Sequence, residues 1–219
     1  MIGIIVALPH EAEYLLNELQ QKRKITVTDK PAYIGLLNNT DVVVVICGIG
    51  KVNSALATQA VIDKFSPSTI INFGSAGGFD GKTQVLDYYC VDKCCQYDFD
   101  LSELDPVPVG YIQDYDTVLF KTDSSKIDFL PKADLASADR FTDKSEFLDI
   151  IQSIGCTLRD MEGGAIAQVC TANKTPLVLI KGVSDNYGSS TSADQFRSNL
   201  TAVCKGFPAI IKKVINALL

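Results

Sequence analysis

One histidine, His10, stands in the 219 residues, next to Glu11. Adjacent helix residues face different directions, so His10 reads as a surface or rim residue. The chain also has no excess of positive charge. Its 20 Lys and Arg against 26 Asp and Glu give a net charge of −6. This argues against a nucleic-acid partner, which would want a basic stripe, and against docking on an acidic membrane surface. No apolar run reaches the roughly 18–20 residues needed to span a bilayer. The N-terminal MIGIIVAL has no basic lead and runs straight into PHEAE, so it reads as a first strand and not as a signal peptide. Seven cysteines, an odd number lying mostly in apolar runs, fit reduced and buried thiols. The expectation is a soluble, cytoplasmic protein. Cys90, Cys94 and Cys95 are clustered, but C-x3-C-C has no matching second pair and no histidine near it, so no metal is expected.

Two glycine motifs are also incomplete. GIGKVNS at 48–54 has Asn53 where the third glycine of G-x-G-x-x-G belongs, and it does not follow the N-terminal strand. GSAGG at 74–78 lacks the Lys-Ser/Thr end of a P-loop. Neither a dinucleotide nor another cofactor is expected, and the glycines are better read as turns that let backbone approach a ligand closely.

What is present is a chain 47% hydrophobic, enough for one domain over 1–219 with a sizeable core. Residues 2–8 form a strand covered on both faces, and 11–21 an amphipathic helix with Leu15, Leu16 and Leu19 inward. Residues 31–47 read as two strands joined by Asn-Asn-Thr-Asp. A helix opens after Gly50 and runs to about 64, followed by strands at STIINFG and within 79–92. From 94 to 116 the aromatic, acidic and Pro-rich sequence predicts a long functional or interface loop. A strand at 133–141, a helix at 144–154, a strand and helix over 157–172, a strand at 176–185 and a helix over 193–218 complete the pattern. Pro208 predicts a kink or break in that last helix. The alternation points to a three-layer α/β/α sandwich around a mixed, mostly parallel sheet.

Three strands end in small residues and each delivers a polar group: Ser75 in NFGSAGG, Glu162 in DMEGGAIA, and Asp185 in KGVSDN. Ligands of parallel α/β sheets sit where strands end. A hydroxyl and two carboxylates meeting there suggest polyol binding and acid–base chemistry.

Taken in order, IGII-ALxxE at 2–11, GIGKVNSA at 48–55, IINFGSAGG at 70–78, SADRF at 137–141, MEGGAIAQVC at 161–170 and SDN at 184–186 resemble one family across nearly the whole chain. They are similar to the 5′-methylthioadenosine/S-adenosylhomocysteine nucleosidases, the hydrolytic branch of the nucleoside phosphorylase superfamily. The resemblance implies hydrolysis of the N-glycosidic bond of a 5′-modified adenosine. It implies Asp185 as the general acid at N7 of adenine, Glu162 with Met161 on the ribose hydroxyls, and Glu11 activating water. Ser75 would lie near the anomeric centre, Phe141 would stack on the purine, and the Thr142 backbone would read its edge. Ile49, Ala76, Gly77, Lys181, Ser184 and Phe196 would complete the substrate contacts. A free aspartate has a pKa of about 3.9, so Asp185 would need desolvation or carboxylate neighbours to hold a proton at pH 7.

The phosphorylase branch carries cations at its first turn and before its Gly-Ser motif, whereas this chain has ALPHEAE and Phe73-Gly74-Ser75. A phosphate dianion needs cationic partners, so water is the expected nucleophile. A phosphate-dependent purine nucleoside phosphorylase and a non-catalytic nucleoside-binding protein are the alternatives. Three positions depart from the family pattern. Lys181 stands where Arg is usual, Ala193 where an aromatic is expected, with Phe196 as its substitute, and 94–116 follows no family pattern. In the resembling enzymes that last region supplies dimer contacts and part of the partner's 5′ pocket. A homodimer with 94–116 near its interface is therefore expected, with Asp98, Phe99 and Asp100 as contacts.

Overall fold

The computed structural model describes residues 1–188 and 191–219. Its strands and helices follow the burial pattern of the sequence. The run Ile2–Val6 (β1) is buried at every position and lies between Thr40–Ile46 (β4) and Thr69–Phe79 (β5), both parallel to it. A strand with no polar face can only sit inside a sheet covered on both sides. Lys30–Leu37 (β3) pairs antiparallel with β4 through Asn38 and Asn39, both at positive φ (50° and 59°). Two consecutive left-handed residues make the tight hairpin turn that suits strand twist, and asparagine tolerates that conformation best after glycine.

Beyond β3 lies Gln20–Val27 (β2), a strand that periodicity did not reveal. It is an edge strand, QQKRKITV, with only Val27 buried. Its charged face is a device against edge-to-edge pairing and erases the alternation that marks a strand. It also shortens the first helix, which spans Pro9–Asn17 (α1) and not 11–21, although Leu15, Leu16 and Leu19 do point inward.

On the other side of β5 the pairing closes on itself. Leu177–Tyr187 (β10) runs parallel to β5 and antiparallel to Tyr88–Gln96 (β6). Lys132–Ser137 (β8) is parallel to β6, Leu158–Asp160 (β9) is parallel to β8, and β9 returns to β5 through Gly77↔Arg159. The two-residue Phe120–Lys121 (β7) adds to β6. Cys94–Gln96 belongs to β6, so the long irregular segment begins at Tyr97 and not at Cys94.

Lys51–Phe65 (α2) and Gly163–Asn173 (α4) bury Ala57, Val61, Ile166 and Cys170 on one face of the sheet. On the other, α1 and Ser192–Leu218 (α5) bury Ala12, Leu15, Phe207 and Ile211. Ser145–Ile154 (α3) covers the remaining end with Leu148 and Ile151. This is the α/β/α sandwich. Pro208 does not split α5, which continues through it, and the proline ring is buried. All seven cysteines are buried and free. Among the described residues no helix is long and apolar enough to cross a membrane.

Candidate active site

The strand ends open into a cavity of about 250 Å³. Every residue that the sequence singles out for catalysis or substrate contact lines it: Glu11, Ile49, Ser75, Ala76, Gly77, Phe141, Thr142, Met161, Glu162, Lys181, Ser184, Asp185 and Phe196. His10 is not among the lining residues, and its ring lies beside Thr201 and Glu13 at the surface. Ala193, Asp98, Phe99 and Asp100 also lie outside the lining.

Glu11 is the third residue of α1, and its position is set by the helix start. Pro9 opens the helix with its fixed φ, and Glu11 Oε2 accepts the Leu8 backbone N–H at 3.1 Å, half of a capping box. Its other oxygen, Oε1, accepts the Ser75 N–H at 2.7 Å and the Ser75 hydroxyl at 2.8 Å. The carboxylate is only 3% exposed, so three donors hold it in one orientation. Ser75 therefore acts on Glu11 in this structure, ahead of any contact with a ligand.

Glu162 stands at the N-terminal boundary of α4 without capping it. Its Oε1 turns across to accept the Gly50 N–H at 2.9 Å. Gly50 has φ +98°, and a Cβ there would meet Asp139 Oδ1 at 2.9 Å, so glycine is what allows this approach. Below Glu162, Lys181 is 1% exposed and its Nζ meets Asp160 Oδ2 and Asn72 Oδ1, both at 2.8 Å. Asp160 also accepts the Gly163 N–H and the Ser137 hydroxyl, so both of its oxygens are bonded. Burial alone would lower the Lys181 ammonium, but Asp160, Glu162 and Glu11 outweigh it and leave its pKa raised.

The Glu162 carboxyl is pushed up to about 7, first by burial and then by the charge of Asp160, against the pull of Lys181 and the Gly50 N–H. With a folded-state value above the ordinary 4.5, Glu162 takes up a proton on folding between those limits. Stability from this group is greatest below about 4.5 and declines as pH rises through about 7. Glu162→Gln is expected to flatten that decline. Thermal unfolding of both proteins at pH 5, 6, 7 and 8 checks this, and an equally steep fall in the variant would contradict it.

Asp185 is 1% exposed. The β5–β10 register slips between Val183 and Asp185, making Ser184 the extra residue of a bulge that re-aims the next side chain. The Ser184 hydroxyl donates to Asp185 Oδ1 at 2.7 Å, and Arg159 Nη2 donates to Oδ2 at 3.0 Å. Desolvation is as expected, but the charged group in direct contact is an arginine and not a carboxylate.

At the mouth, Phe141 is 53% exposed and packs edge-on against Phe196 at 6.0 Å between centroids. This leaves an aromatic rim on which a flat ring can stack.

Arg159, Asp160, Asn72 and Arg140 line the cavity too, and sequence reasoning did not name them. For the first two the available signal was the pair of charges in LRDME, inside a short strand flanked by buried residues.

A ten-stranded mixed sheet with a cavity of carboxylates at its strand ends defines a nucleoside-phosphorylase architecture, and the chain belongs to the phosphorylase superfamily, whose family model matches residues 1–216. Within it the chain belongs to the 5′-methylthioadenosine/S-adenosylhomocysteine nucleosidase family. It is 35% identical over 208 residues to the nucleosidase of Oceanobacillus iheyensis, covering 89% of this chain and 91% of that one. It is 30% identical over 210 residues to that of Bacillus subtilis, covering 89% and 90%. Among solved structures, the S. pneumoniae nucleosidase with a transition-state inhibitor superposes at a TM-score of 0.90 with 25% identity, over 100% of this chain and 99% of that one. A Borrelia burgdorferi protein of the same assignment, bound to adenine, matches at 0.90 with 27% identity over 99% of both chains.

Proposed function

We propose that the protein hydrolyses the N-glycosidic bond of 5′-modified adenosines, namely 5′-methylthioadenosine, S-adenosylhomocysteine and 5′-deoxyadenosine, releasing adenine and the 5′-modified ribose. Such a reaction serves nucleoside catabolism and methionine salvage. In this reading Asp185 gives its proton to N7 as the C1′–N9 bond breaks, and the bonding electrons leave with the purine. The ribose passes through an oxocarbenium-like state. Glu162 accepts hydrogen bonds from the ribose hydroxyls. Glu11 orients a water and takes its proton as oxygen bonds to C1′. Phe141 and Thr142 hold the base.

One observation carries the choice of water over phosphate. The Leu8 and Ser75 backbone N–H groups and the Ser75 hydroxyl would make a cradle for an anion, but all three donate to Glu11. A carboxylate with its donors already committed repels a dianion and leaves a neutral nucleophile favoured.

Val52 and Leu56 of α2, Ile49 just before it, and Phe99 and Leu104 of the irregular segment are all exposed. The Lys51–Asp98 pair at 2.6 Å ties that helix to the irregular segment. These apolar residues support a homodimer with 94–116 near its interface, and seven free thiols support a cytoplasmic location.

The test is adenine release from 5′-methylthioadenosine, S-adenosylhomocysteine, 5′-deoxyadenosine, adenosine and inosine, with and without phosphate, with sedimentation at the assay concentration. Phosphate-independent release by a dimer is expected. Release only with phosphate would make the protein a phosphorylase, and nucleoside binding without release would make it a binding protein.

A further inference from the structure

Arg159 takes no part in the proposed proton transfers, yet it is the cation in contact with the proposed acid. The register explains how it gets there. At Gly77, β5 is paired with Arg159 of β9 on one side and with Asp185 of β10 on the other. Two side chains separated by an intervening strand meet only if that strand offers no side chain between them. A Cβ at 77 would lie 2.5 Å from Arg159 Nε and 2.9 Å from Asp185 Oδ2, so the guanidinium reaches its carboxylate across a glycine.

The distribution of the arginine's donors is uneven. Nη2 faces Asp185 Oδ2 at 3.0 Å, the Ser192 hydroxyl at 2.7 Å and Asp143 Oδ1 at 3.4 Å. Three acceptors share two hydrogens, while buried Nη1 has no partner among the described residues. An arginine placed for stability alone would spread its fork across its acceptors. This one is turned to keep a single nitrogen on Asp185. The same nitrogen links that carboxylate to both sides of the cavity mouth. Asp143 lies just after Phe141 and Thr142, and it also accepts the Ser192 N–H at 3.1 Å, at the start of the helix that carries Phe196.

We infer that Arg159 is a positioning residue for the general acid: it fixes the Asp185 carboxyl relative to the aromatic rim that grips the base. It faces the negative charge that forms on Asp185 as the proton leaves. This contribution is larger in the transition state than in the ground state, so it belongs to kcat and not to KM. The inference rests on the nucleosidase reading.

The experiment measures kcat and KM for 5′-methylthioadenosine with the wild type, Arg159→Met, Arg159→Lys and Gly77→Ala, each checked for folding by thermal unfolding. Displacing a catalytic group by about 1 Å can cost roughly 100-fold. Arg159→Met is therefore expected to lose about 10- to 100-fold in kcat with KM within about threefold. Arg159→Lys should recover part of that, since it keeps the charge but not the fork. Gly77→Ala should reproduce the loss by displacing the guanidinium. If Arg159→Met does not fold, a kcat loss in Arg159→Lys at unchanged KM carries the same conclusion, and wild-type kcat in that variant overturns it. An active wild type with kcat within about twofold in Arg159→Met, or with losses confined to KM, overturns this inference alone. A wild type that releases no adenine overturns it together with the functional reading.

Discussion

Asp185→Asn is expected to lower kcat on 5′-methylthioadenosine by about 10²–10⁴-fold, the usual worth of a positioned proton donor, while the dissociation constant changes little. The side chain is almost wholly buried between Ser184 and Arg159, so a near-isosteric amide keeps the volume and the Arg159 contact through its oxygen. On the proposed mechanism what disappears is the proton for N7, and without it the purine leaves as an anion. Single-turnover rates and equilibrium binding, measured separately, decide the matter. Unchanged turnover would remove Asp185 as the acid, and loss of binding with intact turnover of bound substrate would assign it to recognition.

Lys181→Met is expected to cost about 3–5 kcal/mol of stability, because removing one partner of a buried ion pair leaves the other charged and unpaired. Lys181 and Asp160 are each 1% exposed at their side chains. Glu162 and Glu11 also bear on the same ammonium, so three carboxylates lose their common counter-charge. Against a total stability of roughly 5–15 kcal/mol, this is a large fraction. Urea denaturation at pH 7 reads it directly. A midpoint equal to that of the wild type would show that the cluster adjusts its protonation without loss.

The contrast between these two sites explains what could be read in the chain. Strands such as IGIIV and VVVV announce themselves because burial on both faces leaves no room for polar residues. Ser75, Glu162 and Asp185 were legible because each sits where an apolar run breaks into small residues, a local pattern, whereas the other lining residues were reached only through the family resemblance. Gln20–Val27 was not legible, since an edge strand obeys its solvent and not its sheet. Arg159 was hidden for a different reason. Its significance depends on the closing of β9 onto β5, a pairing between positions 82 residues apart at Gly77 and Arg159, and no periodicity within a window contains that. The same holds for the environment of Asp185, where sequence reasoning anticipated burial and missed the cation. The slipped register at Ser184 is likewise invisible until β5 and β10 are laid side by side.

Glu11 has a consequence for how such a site could change over time. Its two oxygens hold the first turn of α1 with one hand and the Ser75 end of β5 with the other. Losing the carboxylate would free three donors and unfasten the helix start in the same step. If Glu11 also serves the proposed reaction, selection on folding and selection on catalysis bear on one side chain.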